Sequence, residues 1–100
     1  MKYQILYLDD VDIDIQSAKI WYCEQKPGLE KRFVSAIRNT ISNIQKAPFI
    51  YNIQYKNVRV AHTKIFPYGI HFYVDEIAGT VVIVSILHHK KSPDGIWNRI

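Results

Sequence analysis

The sequence predicts an α+β fold in which a helical hairpin packs on a small, mainly antiparallel sheet. Between positions 9 and 46 apolar residues recur at helical spacing, and from Phe49 onwards they alternate with a period of two. A short apolar stretch precedes the helices, so the predicted order is β-α-α-β-β-β. One hundred residues without a linker or an internal repeat predict a single domain, residues 1–100.

The first strand and the first helix are predicted from the N-terminal residues. Residues 3–8 are aromatic or branched, apart from one glutamine, and end at Asp9 and Asp10. These two aspartates are expected to cap the helix that follows, because carboxylates favour a helix N-terminus. One face of that helix is apolar, with Val11, Ile15, Ala18 and Tyr22. Trp21 and Tyr22 are expected to pack between the hairpin and the sheet, with a role at an interface as the alternative interpretation.

A second helix is predicted at residues 29–46, after a break at Pro27 and Gly28. Its apolar stripe is regular and consists of Leu29, Phe33, Ile37, Ile41 and Ile44. Two helices joined by so short a turn form an antiparallel hairpin.

Three strands are predicted after Pro48. Residues 50–64 alternate around four apolar or aromatic positions and predict one strand, and residues 68–76 predict the next. A hairpin turn at residues 75–79 leads to "TVVIVSILHH". This last segment is almost entirely apolar, which is typical of a central strand covered on both faces.

Charge and cysteine content narrow the class of protein. The net charge is +4, and residues 51–100 hold six Lys or Arg against three Asp or Glu, with all four histidines. A basic half of this kind favours phosphate or an acidic protein as its partner. Cys23 is the only cysteine and is expected to be a free thiol in the core. With no signal peptide and no membrane-length apolar run, we expect a cytoplasmic protein with no membrane partner.

Three stretches carry a resemblance to a known family. They are "AKIWYCEQKPGLEKRF", "VRVAHTKIFPYGIHFYVDE" and "VVIVSILHHKKSPDGIWNR", and together they span nearly the whole chain. Their order and spacing resemble the RelE/ParE toxin superfamily of type II toxin–antitoxin systems, whose members include plasmid stabilisation proteins. The pattern is nearer to the ParE branch, in which a "FPY" strand is followed by an apolar strand that ends in a histidine.

The resemblance implies one of two activities. ParE-like toxins inhibit DNA gyrase, whereas RelE-like toxins cleave mRNA on the ribosome without a metal. In RelE-like nucleases an arginine on the third strand clamps the phosphate, and the matching position here is Gly69. His89 matches a general acid of some RelE-like nucleases, and Arg59 and Lys64 are the remaining candidate cations. The missing arginine favours the ParE-like activity; a solvated strand end is the alternative interpretation of His89.

The resemblance also implies the partners. We expect a cognate antitoxin with an acidic tail, a toxin–antitoxin hetero-oligomer, and DNA gyrase or the ribosome with mRNA as target. The surface that binds target or antitoxin is expected to include Lys56, Tyr68, His88, Lys90, Lys91, Trp97 and Arg99. No cofactor is expected. No metal is expected either, because His88 and His89 point to opposite faces, although one of them could join His62 or His71 across strands. A degenerate toxin that only binds its antitoxin remains a further interpretation.

Overall fold

A computed structural model describes residues 2–90 of the chain. Its elements are β1 (Gln4–Tyr7), α1 (Asp9–Gln25), α2 (Leu29–Lys46), a 3-10 helix (Pro48–Ile50), β2 (Ile53–Tyr55), β3 (Val58–His62), β4 (Tyr68–Asp75) and β5 (Thr80–His88). The strands form one five-stranded sheet in the order β1-β5-β4-β3-β2. β1 runs parallel to β5, and the other pairs are antiparallel. The α+β class, the helical hairpin and the mainly antiparallel sheet are therefore confirmed.

The sheet contains one strand more than predicted. The segment predicted as a single strand turns at Lys56 and Asn57, so β2 and β3 form a tight hairpin. Lys56 has φ 47°, in the left-handed region that usually selects glycine or asparagine. The turn carries no glycine, and the apolar alternation continues on both sides of it. Asn57 is the one turn residue present, and it was not enough to predict the division.

The start of α1 differs from the prediction. Leu8 is the N-cap residue and makes no side-chain capping bond, so the predicted caps at Asp9 and Asp10 are wrong. Both aspartates lie in the first turn, where their charge still complements the helix dipole.

Asp14, further along α1, attaches the helix to the sheet. Its carboxylate accepts hydrogen bonds from Ser85 Oγ (3.2 Å) and from the Ile86 backbone N–H (3.1 Å). β1 ends at Tyr7, opposite Ile83, so within residues 2–90 no strand lies beside the edge of β5 beyond that point. The carboxylate of Asp14 therefore takes the place of a strand at this edge.

The helical hairpin packs on one face of the sheet through an aromatic cluster. The ring centroids of Tyr22 and Phe66 are 5.0 Å apart, and Phe33 lies 5.1 Å from Tyr68. The predicted stripe of α2 is buried at Phe33, Ile37, Ile41 and Ile44. Every residue of β5 from position 81 to 86 is buried, which confirms β5 as a central strand.

Two expectations for α1 are wrong. Cys23 is exposed rather than in the core, and a hydrogen bond with Glu30 raises the pKa of its thiol. Trp21 was expected to pack between hairpin and sheet, yet 54% of it is exposed, whereas Tyr22 is buried. The two residues flanking Tyr22 point away from the core, because one helical position is rotated by about 100° from the next.

Candidate functional site

The ends of β3 and β5 and the start of β4 lie together at one end of the sheet. Tyr68 pairs with His88, and Gly69 pairs with His62. The backbone N–H of His89 donates to the carbonyl of Pro67 at 2.9 Å, which holds the chain beyond β5 against the β3–β4 loop. Residues 62–69 and 88–90 therefore form a continuous surface, which we call the sheet-end surface.

The two adjacent histidines point in different directions, as the sequence predicts. The His88 ring makes an edge contact with Tyr68 at 5.2 Å between centroids, and its Nδ1 accepts the backbone N–H of Lys90. The Nε2 of His89 lies 2.9 Å from His62 Nδ1, within hydrogen-bond distance. His62, which the sequence marked only as a candidate neighbour, is therefore the partner of His89.

Gly69 is the position at which the nuclease arginine is missing, and the structure gives a steric reason for a glycine. A Cβ atom placed there would lie 2.8 Å from Val60 Cγ1 and 3.6 Å from His62 Nδ1. The side chains of Val60 and His62 thus occupy the space above Gly69. Any side chain at this position would require Val60 Cγ1 to shift, whereas the distance to His62 is that of an ordinary contact.

His71 is buried on β4 between Val60 and Ser85, its register partners on β3 and β5. The Tyr55 hydroxyl lies 2.9 Å from its Nδ1. Burial, with a smaller contribution from the neighbouring His62, lowers the pKa of His71 to about 4. His71 is thus neutral at physiological pH and has the properties of a core histidine that is satisfied by a tyrosine.

Arg59, one of the three residues of the nuclease hypothesis, makes its contacts away from His89. The guanidinium of Arg59 donates to the Tyr51 carbonyl at 2.6 Å and lies over the Phe49 ring at 5.1 Å. Arg59 is three residues from His62 on the same strand, a separation of about 10 Å. The guanidinium of Arg59 therefore contacts Tyr51 and Phe49 rather than His89.

Lys64 lies in a strained loop between β3 and β4. The N–H of Phe66 donates to the Lys64 carbonyl at 2.8 Å, which closes a three-residue turn around Ile65. Ile65 has φ 75°, an outlier for a β-branched residue, and is 83% exposed. Strain of this kind is concentrated at functional segments, so the loop is a candidate contact surface.

A basic groove of about 620 Å³ runs between α2 and this loop. Lys31 and Arg32 from α2 and Lys64 and His62 from the sheet line it, and none of its described lining residues is acidic. Lys31 and Arg32 were not predicted as site residues. In the sequence they are charged residues beside the apolar stripe of α2, and nothing in the pattern marks them as part of a site. Only the packing of α2 over β3 places them opposite Lys64.

A second groove, of about 590 Å³, is mainly apolar and aromatic. It lies on the other side of the β3–β4 loop and is lined by Ser17, Ala18, Trp21, Tyr22, Pro67, Tyr68 and His88. Two of the predicted binding residues, Tyr68 and His88, therefore lie together. Trp21 joins them, although the sequence analysis assigned it to the packing of the hairpin.

The remaining predicted binding residues are dispersed or lie outside residues 2–90. Lys56 is exposed at the β2–β3 turn, and Lys90 is exposed directly after β5. Lys91, Trp97 and Arg99 lie outside the described residues. Within residues 2–90, no group of three or more His, Cys, Asp or Glu side chains is arranged to hold a metal ion. In the same part of the chain, no helix has both the length and the apolar composition needed to cross a membrane.

Comparison with known proteins agrees with the fold. Residues 5–93 match the family model of the ParE toxin of type II toxin–antitoxin systems, parDE. The chain therefore belongs to the ParE toxin family and is a type II toxin. A search of curated proteins finds no match.

Two solved structures are similar to this chain. A chain of the chromosomal ParDE toxin–antitoxin system from P. aeruginosa has a TM-score of 0.76 at 14% identity, covering 87% of this chain and 96% of that chain. A chain of the RelBE2 toxin–antitoxin complex from Mycobacterium tuberculosis has a TM-score of 0.58 at 13% identity, covering 88% and 99%. At these identities the likeness supports the fold, and the ParDE chain is the more similar of the two.

Proposed function

We propose that this toxin acts by binding and inhibiting an essential target, with DNA gyrase as the target, and that it does not cleave RNA. The observation that carries the proposal is Gly69, which stands at the position of the phosphate-clamping arginine and at which a Cβ atom would lie only 2.8 Å from Val60 Cγ1. The ParE family match supports the same assignment.

Metal-independent RNA cleavage requires a base, an acid and a cation around one phosphate. Of the candidate set, Arg59 is directed at Tyr51 and Phe49, and His89 lies against His62. Lys64 is on a loop that faces the groove with Lys31 and Arg32. This arrangement supports a binding surface better than it supports a catalytic centre.

We also propose that a cognate antitoxin with an acidic tail neutralises the toxin and forms a hetero-oligomer with it in the cytoplasm. The basic groove between α2 and the β3–β4 loop supports this proposal, since it concentrates positive charge without an acidic residue among its described lining. Both similar structures come from toxin–antitoxin systems.

A supercoiling assay tests the target. Purified toxin is expected to inhibit the supercoiling of relaxed plasmid by gyrase, and the protein encoded beside it is expected to restore supercoiling. His89→Ala is expected to retain inhibition, because His89 is not a catalytic acid in this account. Undiminished supercoiling at a large excess of toxin would refute gyrase as the target.

The ribosome-dependent endonuclease remains the second candidate function, and one observation favours it. His89 and His62 form an exposed pair of imidazoles at the sheet-end surface, and imidazole is the side chain best suited to proton transfer near neutral pH. Under this alternative, His89→Ala should abolish toxicity.

A further inference from the structure

The His62–His89 contact joins two elements that are not neighbours in the sheet. His62 is the last residue of β3 and His89 directly follows β5, with β4 between them. The two rings are nearly perpendicular, at 81°, with centroids 4.7 Å apart. Both side chains are exposed, so the pair is open to solvent.

The backbone around the pair holds the two rings together. His62 pairs with Gly69, whose missing side chain leaves room for the His62 ring. The N–H of His89 donates to the carbonyl of Pro67, the residue before β4. This bond holds the backbone of His89 beside the start of β4. The backbone hydrogen bond at His89 thus supports the contact between the two rings.

We propose that His62 Nδ1 and His89 Nε2 form a two-histidine site for a divalent transition metal ion of tetragonal preference, of the Cu²⁺ or Ni²⁺ class. Imidazole nitrogen binds these ions at about 2.0–2.1 Å. At that bond length, two nitrogens separated by 2.9 Å subtend an angle of about 90° at the metal, as adjacent ligands of a square plane do. A tetrahedral zinc ion would require them to separate to about 3.3 Å.

Binding requires both rings to turn, because the nitrogens of a hydrogen-bonded pair point at each other and those of a metal complex point at the ion. In the hydrogen-bonded pair one nitrogen donates a proton to the other, and in the metal complex both lone pairs converge on the ion. The imidazole that donates in the free pair therefore changes tautomer: its facing nitrogen gives up its proton to solvent and its other ring nitrogen takes one up, so two neutral rings bind the ion with no net release of protons. The remaining coordination positions are taken by water, so the site is open rather than structural.

His88 provides a matched control for the test. It is the immediate neighbour of His89, but its ring packs on Tyr68 and its Nδ1 accepts the Lys90 N–H. If copper bound to any surface histidine, His88→Ala would lower the affinity of the protein for copper as much as His89→Ala. A site formed by the pair would be reduced only by the latter.

The experiment is a calorimetric titration of untagged full-length protein with Cu²⁺, repeated with Ni²⁺. The wild type is expected to bind one equivalent. His62→Ala and His89→Ala are expected to lower the affinity at least tenfold, and His88→Ala is expected to leave it unchanged.

Selective broadening of the His62 and His89 ring signals by Cu²⁺ in NMR spectra of the wild type gives the same answer without a variant, should one fail to fold. No stoichiometric binding by the wild type, or equal losses in His88→Ala and His89→Ala, would overturn the proposal. So would broadening of all four histidines alike. None of these readouts depends on toxicity, so the proposal of a metal site and the proposal of a target are tested independently.

Discussion

His71 shows how one buried residue makes the stability of the fold depend on pH. Burial lowers its pKa to about 4, below the ordinary value of 6.5. As the pH falls, the unfolded chain therefore binds a proton at His71 before the folded chain does. The stability that depends on a neutral His71 is fully present above pH 6.5 and is lost as the pH falls towards 4. The total effect is at most about 3 kcal/mol.

We predict that His71→Gln flattens the dependence of unfolding free energy on pH between 6.5 and 4, measured by urea denaturation in metal-free buffer. Glutamine retains a hydrogen-bonding group for the Tyr55 hydroxyl but cannot titrate. An NMR titration of the wild type in which the His71 ring titrates near pH 6.5 would contradict this account.

Ile65 is the residue at which backbone strain is clearest. Its φ of 75° is unfavourable for any residue with a Cβ, at a cost of about 1–2 kcal/mol. We predict that Ile65→Gly is more stable than Ile65→Ala by about 1 kcal/mol, because both remove the exposed side chain and only glycine relieves the strain. Equal unfolding free energies for the two variants would show that the loop is relaxed.

At the scale of the elements, the attachment of α1 to β5 depends on one carboxylate. Asp14 accepts hydrogen bonds from Ser85 and from the backbone of Ile86, at an edge that β1 does not cover. Removing it leaves the Ile86 N–H without this acceptor, so Asp14→Ala is expected to destabilise the fold by about 1–3 kcal/mol in chemical denaturation.

Asp12→Ala is the control for Asp14→Ala, since Asp12 is an exposed residue in the first turn of the same helix. It is expected to cost no more than about 1 kcal/mol through the helix dipole. If the two variants were equally stable, the carboxylate of Asp14 would not be the link between helix and sheet.

The basic groove between α2 and the β3–β4 loop gives a prediction for antitoxin binding. Reversing two charges, Lys31→Glu with Lys64→Glu, should weaken the complex with the antitoxin encoded beside this gene at least tenfold and reduce the salt dependence of its affinity. Lys2→Glu, an exposed residue before β1 that does not line the groove, is the control and should leave the affinity nearly unchanged. Equal affinities for all three proteins would place the antitoxin elsewhere.

The helices and strands were largely predictable, because the spacing of apolar residues within each segment indicates whether it is a helix or a strand. The stripe of α2 and the fully apolar β5 needed no tertiary information, and α2 has the predicted bounds, Leu29–Lys46. The division of β2 from β3 at Lys56 was not predictable, since a left-handed lysine leaves no pattern in the sequence. The exposure of Cys23 was missed because helical spacing alone does not show which positions beside a stripe are covered.

The site was less predictable than the fold because its parts are distant in sequence. His62 and His89 are 27 residues apart, and their contact passes over Gly69, which the sequence marks only as a departure from a family pattern. Lys31 and Arg32 become site residues only through the packing of α2 over β3. The sequence did show that His88 and His89 point to opposite faces, because the alternation of a strand requires it.

At the scale of the whole molecule, this chain is a basic toxin of the ParE family, and we propose that it acts by binding its target. The net charge of +4 favours association with acidic partners but does not distinguish gyrase from the ribosome. The two activities are distinguished by their products, because a ribosome-dependent nuclease leaves cleaved mRNA and an inhibitor of gyrase does not.

The most direct test is therefore a cell-free translation reaction with purified toxin, in which the 5′ ends of the mRNA are mapped. The account predicts intact mRNA, with no new 5′ ends whether or not ribosomes engage the message. Cuts within the codon at the decoding site, present only when ribosomes are translating, would contradict it and would make the His62–His89 end of the sheet a catalytic centre despite Gly69.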